Sequence, residues 1–186
     1  ANASAPDAKL ARSWPANGPE VLWTIPLGAG YGSAAISEGK VYVLDRIGNE
    51  KDSLLCLDLL TGKELWSYSY EAPGKVDHDG SRSVPTIDGD YIYTCGTFGH
   101  VCCFDKDTHK LVWQKNVWTD FSGDKVPMWG IAQHLLIYND TVILASQTEK
   151  AGIVAYDKAT GSVKWSSPAL PGQVGYVSPK LVKIAG

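Results

Sequence analysis

Cys56-Leu-Asp58-Leu-Leu-Thr61-Gly62-Lys-Glu-Leu-Trp66, Cys103-Phe-Asp105-Lys-Asp-Thr108-His109-Lys-Leu-Val-Trp113 and Ala155-Tyr-Asp157-Lys-Ala-Thr160-Gly161-Ser-Val-Lys-Trp165 are three copies of one phrase. A fourth, partial copy ends at Trp23, so the tryptophans follow one another at intervals of 43, 47 and 52 residues. That period is the length of a four-stranded propeller blade. A second phrase leads each repeat, as Ser33-Ala-Ala-Ile36-Ser-Glu-Gly39-Lys-Val-Tyr42 and Ser83-Val-Pro-Thr-Ile87-Asp-Gly89-Asp-Tyr-Ile-Tyr93. It is degenerate from Ile131 to Leu144 and begins again at Val177-Ser178-Pro179. Two phrases in fixed order at a fixed period predict an all-β chain, a β-propeller of four-stranded antiparallel blades or part of one.

Outward from these phrases, alternation of apolar and polar residues and the turn signals divide the chain. Residues 32–70 form the first blade, with strands over Gly32–Ser37, Lys40–Asp45, Leu54–Leu59 and Glu64–Tyr70 and a polar loop from Arg46 to Asp52. Residues 83–118 form the second blade and residues 130–167 the third. Ahead of them, 1–19 reads as an extended segment and 20–28 as an orphan outer strand around Leu22–Ile25. After them, 176–186 reads as the first strand of a fourth blade. Three blades and two part-blades do not close a ring, and open ends would present unpaired apolar edges. Residues 20–186 therefore read as about half of a larger propeller, whose remainder is the expected first partner.

Composition agrees with a folded all-β domain: 44% of the 186 residues are hydrophobic and 20% charged, enough for a packed core. A net charge of −3 with no basic run argues against nucleic acid as a partner. No apolar run approaches the ~18 residues of a membrane span. The opening Ala1-Asn-Ala-Ser-Ala-Pro6 has neither an initiator Met nor an apolar signal core. It reads as a mature end after signal removal, and predicts a periplasmic or extracellular protein.

The repeated phrase is a structural device. Asp58, Asp105 and Asp157 are expected to accept hydrogen bonds from turn amides, and Gly62 and Gly161 to supply a positive φ. Trp23, Trp66, Trp113 and Trp165 lie where a large flat ring can wedge between blades. His109 replaces the turn glycine in the second blade and predicts a strained or differently shaped turn. The same residue types recur in each blade, where no blade-specific chemistry needs them.

The phrase A-x-D-x-x-T-G-x-x-x-W, led by S-x-P-x-[IV]-x-G-x-[VI]-Y, resembles the repeat of the pyrroloquinoline-quinone-type propellers. These include eight-bladed quinoprotein alcohol dehydrogenases, the propeller lipoprotein of outer-membrane protein assembly, and many exported bacterial proteins of unknown function. Trp14-Pro15, Gly18-Pro19, Leu22-Trp23, Leu27-Gly28 and Gly30-Tyr31-Gly32-Ser33 resemble the openings of the last group. The resemblance covers nearly the whole chain from Trp14. It implies blades docked through tryptophans and an eight-bladed ring, but the repeat marks blades rather than catalysis.

Strand parity assigns the loops to two faces. One face collects Asp45–Asp52, Thr97–Gly99 and Thr148–Ala151, with the long connectors Glu71–Arg82, Trp118–Trp129 and Ser167–Tyr176. The other carries only short turns, so the loop-rich face is the expected recognition surface. On it, Arg46, Arg82, Ser83, Trp129 and Tyr176 are the candidate ligand-binding residues. Two arginines and a tryptophan can grip a planar anion, such as a quinone carboxylate, by forked hydrogen bonds and stacking. The simpler reading of both arginines is ion pairing with Asp45, Asp77 or Asp79. Asp77-His78-Asp79 has metal-ligand residue types, yet its spacing specifies no coordination shell, and a solvated loop is the expectation. His134 reads as a hydrogen-bonded packing residue, and His100 and His109 lie at a strand start and a turn.

Some quinoprotein dehydrogenases place a vicinal disulfide against their cofactor, and Cys102-Cys103 invites that comparison. Here the pair lies inside a strand, where adjacent side chains point to opposite faces. Four reduced, buried cysteines are the expectation.

These readings favour an exported, non-catalytic propeller that binds a protein partner or small ligand on its loop-rich face. The alternative is a dehydrogenase of alcohols or sugars using pyrroloquinoline quinone, completed by further blades. That chemistry needs a carboxylate base, an arginine near the quinone oxygens and a metal-ligand set. The residues specify no metal site and no catalytic residue. Quinone and Ca²⁺ are therefore expected, if at all, in a complete ring and not on these blades alone. A glycan-binding propeller, using Trp129 and Tyr31, is a third reading.

Overall fold

The computed structural model describes residues 13–123, 125–172 and 175–184. They form three four-stranded antiparallel sheets in simple up-and-down order. The first blade comprises β1 (Ala35–Ser37), β2 (Lys40–Ile47), β3 (Lys51–Asp58) and β4 (Glu64–Glu71). The second comprises β5 (Thr86–Asp88), β6 (Tyr91–Cys95), β7 (His100–Asp105) and β8 (Leu111–Asn116). The third comprises β9 (Leu136–Tyr138), β10 (Thr141–Ala145), β11 (Ile153–Asp157) and β12 (Val163–Ser166). A single helical turn, Val117–Asp120, follows β8, with the Asn116 side chain accepting from the amides of Trp118 and Thr119.

The repeat is reproduced in detail. In each blade the pairing of third and fourth strands shifts register at one place, between Cys56 and Leu57, Cys103 and Phe104, and Ala155 and Tyr156. Beyond each shift the aspartate organises the turn: Asp58 Oδ1 accepts from the Leu60 and Thr61 amides and the Thr61 hydroxyl. Asp105 and Asp157 do the same with Asp107–Thr108 and Ala159–Thr160. These bonds hold all three carboxyls below the usual aspartate range, with Thr61, Thr108 and Thr160 contributing most.

The core lies between blades. One buried cluster joins the first and second blades through Tyr42, Leu54, Cys56, Ile92, Cys102 and Phe104. A second joins the second and third through Tyr93, Val101, Cys103, Trp113, Val142 and Val154. Cys102 and Cys103 therefore pack on opposite faces of β7, and all four cysteines are free and buried. Burial pushes the thiols of Cys95 and Cys103 up to about 12, so they behave as small apolar side chains. Two surface ion pairs tie neighbouring blades at their turns, Lys106 to Glu38 and Lys158 to Asp88.

Several expectations need correction. Arg46–Asp52 is not a polar loop: Arg46 faces Asp52 and Ile47 faces Lys51 across the β2–β3 ladder, leaving a tight turn at 48–50. The first strands are shorter than the sequence suggests. Their leading residues turn from their own sheet to the neighbouring blade, where the Tyr31 and Gly32 amides donate to Ser81 O. Ser83 Oγ donates to Gln133 O at 2.6 Å, and the Val84 amide to His134 Nδ1 at 3.1 Å. His134 is thus hydrogen-bonded as expected but exposed, outside any strand. Leu22–Ile25 and residues 176–184 form no strand. Residues 1–12 and 185–186 of the end segments lie outside the described residues. Trp165, expected between blades, is 46% exposed, because no described residue supplies the next blade's turn.

Candidate functional site

The connector after β4 is pinned by Arg46. Its guanidinium pairs with Asp52 at 2.9 Å and donates to Ala72 O at 2.7 Å and Gly74 O at 2.9 Å. It also lies 4.7 Å from the centre of the Phe98 ring. Arg46 is buried, and its donors serve the connector after β4 rather than a ligand. Burial raises the Asp52 carboxyl, and the Arg46 bond pulls it back only in part. The imidazole of His100, near that pair, is pushed down by burial. The connector is anchored twice more, by Thr97 Oγ1 donating to Gly80 O at 2.8 Å and the Asp77 amide donating to Met128 O at 3.2 Å.

Above this support lies an open cleft of about 270 Å³, lined by Tyr31, His78, Arg82, Trp129, Ala132 and Tyr176. All six residues come from the inter-blade connectors of the loop-rich side. Four of them hold one position of the repeat: Tyr31, Arg82, Ala132 and Tyr176 stand five residues ahead of Ile36, Ile87, Ile137 and Leu181. Equivalent positions of successive blades surround the ring axis, so the cleft is an arc of the axial mouth. A larger cavity of about 450 Å³ lies along the inner segments, between Val84–Ile87, His134–Leu136 and Ser178-Pro179.

Arg82 is the charged group of the cleft. Its guanidinium carbon sits 5.1 Å from the Tyr31 ring centre, a cation–π arrangement. Nη2 donates to the carbonyls of Asp77 and His78, while Nε is buried without a partner. With Nη2 committed and Nε buried, Nη1 is the donor left to a ligand instead of a free fork. His78 lies edge-on to Tyr31 at 6.3 Å, and Trp129 lies 5.0 Å from Tyr176. The arrangement can hold a planar anion by one guanidinium among aromatic faces.

Of the five candidates read from sequence, Arg82, Trp129 and Tyr176 meet in this cleft. Arg46 and Ser83 do not. Arg46 is consumed by Asp52 and the connector, and Ser83 is buried against Gln133 O. The arginines pair with none of Asp45, Asp77 or Asp79 through a carboxylate: Arg46 takes Asp52, and Arg82 takes main-chain carbonyls. Sequence reasoning joined Tyr31 to Trp129 only in the glycan-binding reading and left His78 in a solvated loop of the same face; the shared phase of Tyr31, Arg82 and Tyr176 was the signal that would have grouped them. Among the described residues no group of three or more His, Cys, Asp or Glu side chains is placed to hold a metal ion. No helix among them is long and apolar enough to cross a membrane.

Comparison with known proteins accords with this architecture. The chain is 28% identical over 156 residues to a quinoprotein ethanol dehydrogenase of Pseudomonas putida, spanning 79% of this chain and 24% of that protein. It is 26% identical over 130 residues to the quinoprotein alcohol dehydrogenase PedH of Pseudomonas putida, spanning 67% of this chain and 21% of that protein. The chain thus spans about a quarter of the length of these curated relatives. The crystal structure of quinohemoprotein alcohol dehydrogenase from Comamonas testosteroni shares the fold, with a TM-score of 0.56 and 22% identity over 79% of this chain and 22% of that one. The model of the family described as "Outer membrane protein assembly factor BamB" matches residues 50–185. With its repeated turns, its inter-blade tryptophans and these relatives, the chain belongs to that family, among the β-propellers of pyrroloquinoline-quinone-type repeats.

Proposed function

We propose that this chain forms part of the axial site of an exported, quinone-dependent alcohol or sugar dehydrogenase. One observation carries the reading: Arg82, Trp129, Tyr176 and Tyr31 converge on a single cleft at the axial mouth. The curated relatives, both quinoprotein dehydrogenases, support it. Pyrroloquinoline quinone is planar and carries carboxylates, and the cleft offers it the Arg82 guanidinium beside aromatic faces. Arg82 would hold a carboxylate, and Trp129, Tyr176 and Tyr31 would flank the rings. A bound quinone supplies the redox chemistry by accepting two electrons from the alcohol. Residues of this chain bind and orient it, and Arg46 holds the connector on which His78 and the carbonyls that fix Arg82 are carried. Calcium fits less well. The described residues bring no acidic set together, so its ligands belong to other blades.

A second reading is an exported propeller that binds a partner on its loop-rich face without catalysis. The description of the matching family, an assembly factor, supports it. So does Arg46, which is spent on internal bonds instead of facing the cleft.

The deciding experiment uses the full-length protein with pyrroloquinoline quinone and Ca²⁺. Stoichiometric quinone absorbance and dye-linked alcohol oxidation, both abolished in Arg82→Ala, are the expected results. A folded protein that takes up no quinone and oxidises no alcohol would establish the binding scaffold instead.

A further inference from the structure

Asp77-His78-Asp79 stands out in the sequence, and neither the blade scaffold nor the quinone reading accounts for it. In the fold this segment rims the axial cleft. The carbonyls of Asp77 and His78 accept from Arg82 Nη2, and the His78 ring lies edge-on to Tyr31. His78 also has φ 62, the left-handed region, where a non-glycine residue is held only by its surroundings. The Arg82 contacts on its carbonyl help to keep it there. The imidazole is exposed and lines the cleft together with Arg82.

We propose that His78 is a second anion-binding group of the cleft, engaging an anionic ligand beside Arg82 in its imidazolium form. Binding at this site is therefore tuned by pH. The inference rests on the cleft being the ligand site. Imidazole side chains change charge between about pH 5 and 8, so the cleft gains a cation as pH falls through that range. The sign follows directly: an anion binds more tightly at low pH. The other titratable or charged groups facing His78 are Arg82, Tyr31 and Tyr176 in the cleft, with Asp77 and Asp79 flanking it on the connector. Of the side-chain types that line the cleft, imidazole is the one whose charge ordinarily changes in that range. One added charge a few ångströms from a ligand carboxylate in a solvated cleft is worth about three- to tenfold in affinity.

The test titrates pyrroloquinoline quinone, with Ca²⁺ present, into full-length protein at about pH 8 and about pH 5. Quenching of tryptophan fluorescence and the bound-quinone absorbance report occupancy. Two variants accompany it. His78→Asn is neutral and tolerates the left-handed backbone; His78→Lys keeps a positive charge across the range. Unchanged thermal melting checks that each variant is folded. Wild-type affinity should rise about three- to tenfold on acidification. His78→Asn should show only the slope of the ligand itself, and His78→Lys should bind tightly at both pH values. An equal pH slope in wild type and His78→Asn overturns the role of His78 while leaving the cleft reading intact. Absence of binding by wild type at both pH values overturns the cleft reading, and the inference with it.

Discussion

The two joints between blades are built from the same phrase but differ in one residue. Between the second and third blades, the Trp113 ring lies directly on Gly161. A Cβ at that glycine, which has φ 68, would stand 2.7 Å from the ring. The close approach lets Trp113 Nε1 donate to Lys158 O at 2.9 Å. Trp23 repeats the arrangement on Gly62, with Nε1 donating to Leu59 O at 2.9 Å. Between the first and second blades the glycine is His109. Its backbone keeps the same turn, with φ 61 and its amide donating to Asp105 O at 3.0 Å. The turn is therefore not differently shaped, as the sequence allowed; its strain is a histidine held in a glycine conformation. The imidazole takes the place of the missing hydrogen and stacks on Trp66 at 4.8 Å and 18°. Trp66 is held off the turn, and its buried Nε1 has no partner. One joint uses close approach and a hydrogen bond; the other uses a stack.

The largest expected consequence concerns the tryptophans themselves. Trp113→Ala should destabilise the protein by about 3–5 kcal/mol in equilibrium urea denaturation, since the side chain is buried in the inter-blade core. Trp66→Ala should lose less by about 1 kcal/mol, because no hydrogen bond is broken. Equal losses would show that the two joints are energetically alike. Exchanging the turn residues is the next test. Gly161→His should cost about 2 kcal/mol, combining a left-handed non-glycine residue with loss of the Trp113 bond. His109→Gly should instead stabilise by about 1 kcal/mol, as Trp66 settles towards Lys106 O and the backbone strain disappears. A loss on His109→Gly would mean that stacking outweighs both gains.

The smallest effect is electrostatic. Asp105 is held below the ordinary aspartate range first by the Thr108 amide and hydroxyl, and additionally by the charge of His109. No such charge acts on Asp58, whose turn carries Gly62 in that place. In carbonyl NMR titrations, His109→Gly should raise the midpoint of Asp105 slightly and leave that of Asp58 unmoved. A carboxyl whose folded value is depressed contributes stability above its unfolded value, and that contribution fades as pH falls through the folded one. All three turns should therefore loosen together on acidification below the ordinary aspartate range, and a turn unmoved by acid would contradict its observed bonds.

The comparison also shows which features were legible in the chain. The strands of the second to fourth positions, the aspartate-centred turns and the divergence of Cys102 from Cys103 follow from alternation and local hydrogen bonding. Each is a property of neighbours in sequence, and each blade repeats it. The first strands were drawn too long because their leading residues bond to the neighbouring blade. Arg46 was misplaced for a related reason. Read along the chain, Arg46–Asp52 is a polar loop; across the ladder, the two ends face each other and bury a paired charge.

By itself, then, the sequence determined the repeat: its period, its turns, the residues that face between blades and the family they mark. Those are set by contacts within about one blade length, which a repeated phrase records directly. Only the tertiary structure decided which residues share the axial cleft. Tyr31, His78, Arg82, Trp129 and Tyr176 come from four connectors, up to 145 residues apart. Ring curvature brings them together, while the same packing takes Arg46 out of reach. The sequence left both arginines as equals, and burial among neighbouring blades made one of them a brace and the other a candidate ligand group.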